Sequence, residues 1–184
     1  MKHLFALLVV VSLAACGGSK KTEADLVNDF NSRLEEFDRD WSSNKIENLK
    51  GQSDTLQMIA DEVMKDYPQS KDLPLILFKA GETASKMKEG EKAVEYFSKL
   101  VELFPNNPDA AEAMYLIGIQ YENVLGNAPK AIDAYKKLRK TYPQSQWANF
   151  AKNSIMFLMD KERFFNDMET NLNKSKDSLE AAMK

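Results

Sequence analysis

Tyr67-Pro68-Gln69-Ser70 returns as Tyr142-Pro143-Gln144-Ser145, with Phe104-Pro105-Asn106-Asn107 between the two copies. The three prolines stand 37 and then 38 residues apart. Behind each runs the same ladder: an aromatic one residue back (Tyr67, Phe104, Tyr142), an aliphatic five back (Val63, Leu100, Leu138), then Ala60, Phe97 and Tyr135 eight back, and Leu56, Ala93 and Ala131 twelve back. Offsets of one, five, eight and twelve trace one face of a helix with 3.6 residues per turn. Each ladder therefore predicts an amphipathic helix that ends at its aromatic, because a proline disfavours helical geometry in the residue before it.

Upstream of two ladders lies a second helical pattern, Leu77, Ala80, Gly81 and Ala84 in one and Met114, Ile117, Gly118 and Tyr121 in the other. A glycine inside a helix costs roughly 1 kcal/mol against alanine. Two glycines at matching places predict that another helix crosses there too closely for a side chain. Helix, turn, helix and proline, repeated at a period in the thirties, is the signature of a helical solenoid.

These residues resemble the tetratricopeptide repeat. Leu77, Ala80-Gly81, Ala84, Ala93, Phe97, Leu100 and Pro105 fall in register with that family's pattern of large, apolar-Gly, apolar, Ala, aromatic, apolar and Pro; so do Met114, Ile117-Gly118, Tyr121, Ala131, Tyr135, Leu138 and Pro143. The spacing is longer than the family's usual 34 residues, and Ala84 stands where an aromatic is common. The resemblance implies an all-α, right-handed solenoid of antiparallel helix pairs over 73–160, with capping helices at both ends. Helices are expected to about Lys88, from the turn at Glu89-Gly90 to Phe104, over 108–124 and over 128–142, with Asn107 and Asn127 as caps. Ser145 caps a further helix through Ala148, Ala151, Ile155 and Met159, the opening half of a third repeat with Met156 at the glycine position.

The flanks are read from periodicity. From Thr22 the apolar residues Leu26, Phe30, Leu34, Phe37 and Trp41 recur at helical steps opposite an acidic face, which opposes an anionic lipid surface and favours docking on the solenoid's first end. With the first ladder this gives an N-terminal helical pair over 22–66, the second helix starting near Gly51 or Ser53. Phe164, Phe165, Met168 and Leu172 give a C-terminal cap, within 161–184, whose last ten residues are expected to fray.

Ahead of these, Lys2, the apolar run Leu4 to Leu13 and the small residues after it have the layout of a secretory signal. The run is shorter than the roughly 20 apolar residues a spanning helix needs. Leu13-Ala14-Ala15-Cys16 resembles the lipobox of bacterial lipoproteins, which implies cleavage after residue 15, acylation of Cys16 and a lipidated tether over 16–21. Gly17 after the cysteine favours, by the same resemblance, the periplasmic face of the outer membrane. Several acyl chains anchor stably where one binds only reversibly.

The chain has one cysteine and one histidine, Cys16 and His3. With the first acylated and the second removed with the signal, Cys/His zinc sites, cysteine nucleophiles, Ser-His-Asp triads and intrachain disulfides are excluded. No phosphate loop or calcium loop is present in the sequence. The expectation is a non-enzyme without cofactor or metal. A net charge of −3 speaks against nucleic acid, and Lys136, Lys137, Arg139 and Lys140 read as cations meeting a helix C-terminus.

In this family the first helix of each repeat lines the concave side. Its outward positions carry over to Leu75, Phe78, Glu82 and Lys86 in the first repeat and Glu112, Tyr115, Ile119, Glu122 and Asn123 in the second. Phe78, Tyr115 and Ile119 are apolar where the repeat does not need them for its own packing, and exposed apolar clusters mark interaction sites. The expected partner is a protein or peptide segment. Within this class the chain is similar to the repeat lipoproteins of the outer-membrane β-barrel assembly machinery, though shorter. The other expectation is an accessory to glycan or nutrient uptake, whose larger glycan-binding lipoproteins embed such repeats.

Overall fold

The computed structural model describes residues 20–182. The segment in which the sequence leads one to expect a signal, with Cys16, lies outside the described residues. Helix α1 (Glu23–Ser42) is followed by a 3₁₀ turn (Ile46–Asn48) and α2 (Leu49–Asp66); α3 (Leu73–Lys86) pairs with α4 (Gly90–Leu103); α5 (Ala110–Ile119) runs on into a π-helical turn (Gln120–Val124) and pairs with α6 (Ala128–Thr141); α7 (Gln146–Met159) is followed by α8 (Lys161–Ala182). No strand occurs among the described residues. Each helix packs on its neighbours in sequence, and α5 also touches α7 directly. The result is an all-α, tetratricopeptide-like array of helix pairs.

The three proline phrases are built alike. Tyr67, Phe104 and Tyr142 close their helices with φ/ψ near −136/57, −131/57 and −126/59, each still donating its N–H to the carbonyl of Val63, Leu100 or Leu138. The chain then turns identically, with Ser70, Asn107 and Ser145 donating their N–H groups back to the carbonyls of those aromatics. The two tyrosines add a tie that Phe104 cannot make. Tyr142 donates its hydroxyl to the carbonyl of Pro105 at 2.8 Å, one repeat back, and Tyr67 donates to Lys21 at 2.7 Å.

Every inner position of the ladders, from Leu56 to Leu138, is 0 % exposed. Behind them the glycines sit where a ring arrives. A Cβ added to Gly81 would stand 2.6 Å from Cε1 of Phe97, and one on Gly118 would lie closer still to Tyr135. Both lie far inside van der Waals contact, so the rings occupy the space that any other residue would fill. The cores of the two repeats are continuous through partly buried Val101.

Several sequence expectations shift at the edges. The turn expected at Glu89-Gly90 falls just before it, with Lys88 in the left-handed region (φ 57) and Gly90 already helical. Asn107 caps the turn ahead of α5, accepting from the N–H of Asp109, whereas Asn127 and Ser145 cap α6 and α7 directly. Gly51 and Ser53 lie inside α2, whose start is set by the 3₁₀ turn. The expected frayed tail is helical to Ala182, because α8 continues as one helix. Along it Phe165, Met168 and Leu172 are more than half exposed, so this helix only partly covers α7.

Phe97 is 0 % exposed, fills the space above Gly81 and meets the Phe78 ring edge-on at 5.8 Å. Phe97→Ala should therefore cost roughly 3–5 kcal/mol in denaturant unfolding. A midpoint equal to wild type would contradict the register.

Candidate functional site: the face of the odd-numbered helices

Helices α1, α3, α5 and α7 share one side of the array. Asp38 of α1 pairs with Lys86 of α3 at 2.8 Å, and the facing side chains of α5 and α7 form an aromatic cluster. The nine carried-over residues do not all face outward. Phe78 is 7 % exposed and belongs to the core, which corrects the expectation that the repeat leaves it free. The reason is Phe97: a ring large enough to fill the space over Gly81 also reaches Phe78 one turn back along α3. A charge placed at 78 would be buried, so this position reports stability.

Two more positions are occupied by the chain itself. Lys86 pairs with Asp38 and lies over the rings of Phe37, at 5.3 Å, and Trp41, at 5.7 Å. Glu82 pairs with Lys79 at 2.7 Å, and Lys79 in turn lies 5.7 Å from the Phe78 ring centre. Glu122 accepts the hydroxyl of Tyr135 at 2.8 Å, and that buried phenol is held well above its usual pKa, first by burial and then by this carboxylate. Leu75 and Asn123 are exposed, while Ile119 is half-buried against the second repeat's core.

Tyr115 is the member of the set around which a surface is built. Its ring stacks on Trp147 at 5.3 Å, tilts against Tyr135 at 5.5 Å and meets Phe150 at 6.1 Å; Trp147 and Phe150 lie 5.5 Å apart. Each such pair contributes about 0.5–1.5 kcal/mol beyond area burial, which fixes the rings in place. Phe150 nevertheless remains 48 % exposed, while Trp147 and Tyr115 are partly buried against the second repeat's core. They form a shelf between α5 and α7, open to solvent on one side. Trp147 and Phe150 were legible in the sequence only through the third, partial repeat: with Ile155-Met156 aligned to Ile117-Gly118, Phe150 takes the position of Leu75 and Glu112.

Glu112 stands one helical turn from Tyr115 on the same face of α5. Among the described residues it makes no hydrogen bond or ion pair. Partial burial, then the Asp109 and Glu82 carboxylates, push its carboxyl above the usual glutamate value against the pull of Lys79. No three His, Cys, Asp or Glu side chains among the described residues group closely enough to hold a metal ion. Nor is any described helix long and apolar enough to cross a membrane.

Residues 76–107 and 112–145 match the tetratricopeptide repeat family model, and the matched segments run from α3 to the last proline phrase. Such repeats point to a protein-binding scaffold. No curated protein matches the chain.

Because its folded-state pKa is raised, Glu112 keeps its proton to higher pH in the folded chain than in the unfolded one. Its ionisation therefore costs stability as pH rises from the ordinary glutamate value through the raised one, and the cost persists above. Glu112→Gln should melt higher than wild type at about pH 7, and the difference should vanish below about pH 4. A difference independent of pH would mean that the carboxylates do not feel one another.

Proposed function

We propose that this chain is a lipid-anchored scaffold of a bacterial envelope, held at the periplasmic face of the outer membrane through Cys16, which binds an extended protein segment along its odd-numbered helices and serves envelope or β-barrel assembly. The observation that carries the binding role is the shelf of Tyr115, Trp147 and Phe150. Its rings are locked by one another, so presenting them to a partner requires no reorganisation, and preorganised aromatics are the commonest anchors of protein interfaces. The lipid anchor rests on the sequence alone, on the coincidence of Lys2, the apolar run and a cysteine after Leu13-Ala14-Ala15. A tether of about five residues spans at most roughly 18 Å, which keeps a partner bound here close to the bilayer.

The same shelf favours a second reading. Exposed aromatic rings also stack on sugars, so an accessory role in glycan uptake would use Trp147 and Phe150 as its platform.

Photo-crosslinking from position 150 in the producing cells separates the two. The scaffold reading expects one or a few discrete polypeptides trapped from position 150 and none from Met58, which is the more exposed of the two but lies on α2, away from the shelf. Cys16→Ser should move the chain from the membrane to the soluble fraction. Trapping no polypeptide, together with tryptophan quenching by oligosaccharides, would replace the scaffold with the glycan reading.

A further inference from the structure

Several aromatic rings outside the shelf lie under one of the chain's own ammonium groups. Lys86 covers Phe37 and Trp41, Lys79 covers Phe78, Lys20 lies 5.6 Å over Tyr67 and Lys130 lies 5.4 Å over Tyr121. A cation over a ring face is attracted by the ring's quadrupole, by about 0.5–1 kcal/mol at exposed sites and about 2 when desolvated. Among the described residues no lysine or arginine lies over the rings of Tyr115, Trp147 or Phe150.

The two full repeats differ on this face residue by residue. A step of 37 positions from α3 to α5 replaces Lys79 by Leu116 and Lys86 by Asn123, so both ammonium groups that serve the first repeat are lost. The same step replaces Leu75 by Glu112, adding a carboxylate on the face that has lost its cations. The lysines of the first repeat answer carboxylates at this face, Lys79 pairing with Glu82 at 2.7 Å and Lys86 with Asp38 of α1 at 2.8 Å. Glu112 makes no such contact: Lys79 acts on it only from beyond ion-pair distance, and partial burial with the Asp109 and Glu82 carboxylates outweighs that pull, so its charge is costly. The second repeat thus presents rings and a carboxylate with none of the chain's described ammonium or guanidinium groups in contact with them.

We propose that the shelf takes a lysine- or arginine-bearing segment of a partner protein, with the cationic group set against Glu112 and the open faces of Trp147 and Phe150, and the flanking apolar side chain packed on Tyr115. The incoming ammonium or guanidinium plays the part that Lys79 and Lys86 play in the preceding repeat. Its stem lies along the rings while its head meets the carboxylate, the geometry long cationic side chains adopt at apolar surfaces. This assignment rests on the scaffold reading and adds the chemistry of the segment bound.

The test uses the full-length chain in detergent and a bead library of acetylated, amidated nonapeptides. The best binder is resynthesised with its lysine replaced by norleucine, or its arginine by citrulline. Selected peptides should carry a lysine or arginine beside an apolar residue, and the neutral analogue should bind about tenfold more weakly at low salt, as expected for a contact to a charged group. Glu112→Gln should bring that ratio to near one, while Glu112→Asp, which keeps the charge, should retain most of it. Circular dichroism of both variants establishes that they fold. Selected peptides without a cation, or a preference that survives Glu112→Gln, would overturn the inference and leave the scaffold standing. Wild-type chain that selects no peptide, or that binds oligosaccharides in their place, would overturn both.

Discussion

The array depends on a ring seated on a bare backbone. Phe97 over Gly81 and Tyr135 over Gly118 bring the two helices of each repeat closer than two side chains could come. Helical propensity opposes this arrangement by roughly 1 kcal/mol for each glycine. Burying an aromatic ring completely returns several times that amount. The glycines are therefore a local cost accepted for packing, and they fix the crossing from which everything on the odd-numbered face takes its position. Tyr135 links the two levels directly: its ring packs over Gly118 and against Tyr115, and its hydroxyl binds Glu122.

Much of the fold was legible because its constraints are local and repeated. Proline acts on the residue before it, so three aromatics ending three helices with nearly the same dihedral angles could be anticipated from the phrase alone. The ladders were equally open, since burial at 3.6-residue spacing needs no knowledge of the partner helix. The exceptions are places where tertiary contact decides. Lys88 adopts a left-handed conformation that nothing in its side chain requests, and the first helix pair is joined by a 3₁₀ turn where glycine and serine suggested a boundary. The last helix persists to Ala182 although its apolar residues thin out, a continuity that periodicity gives no means of foreseeing.

The surface was less legible than the core. Carrying positions over from a repeat identifies which side chains leave the helix on a given face, yet not which of them a neighbour covers. Phe78 was expected in solvent and lies under Phe97, while Lys86 and Glu82 are spent on contacts within the chain. Trp147 and Phe150 went unmarked because they sit in a repeat whose second half departs from the pattern. What separates the two full repeats functionally is a handful of substitutions at equivalent positions, and their meaning appears only when the rings and charges of three helices are seen side by side.

The most direct measurement is the unfolding free energy of Gly118→Ala, read beside Gly51→Ala in the exposed first turn of α2, where the added methyl meets only the tip of the Asn48 side chain. Alanine is the better helix former at both positions, so propensity alone would stabilise both by up to about 1 kcal/mol. Seated rings predict a split. Gly51→Ala should gain a few tenths to about 1 kcal/mol, and Gly118→Ala should lose about 1–2 kcal/mol to overpacking against Tyr135. A Gly118→Ala chain as stable as wild type or more so would mean that the ring does not set the crossing, and the account built on it would be wrong.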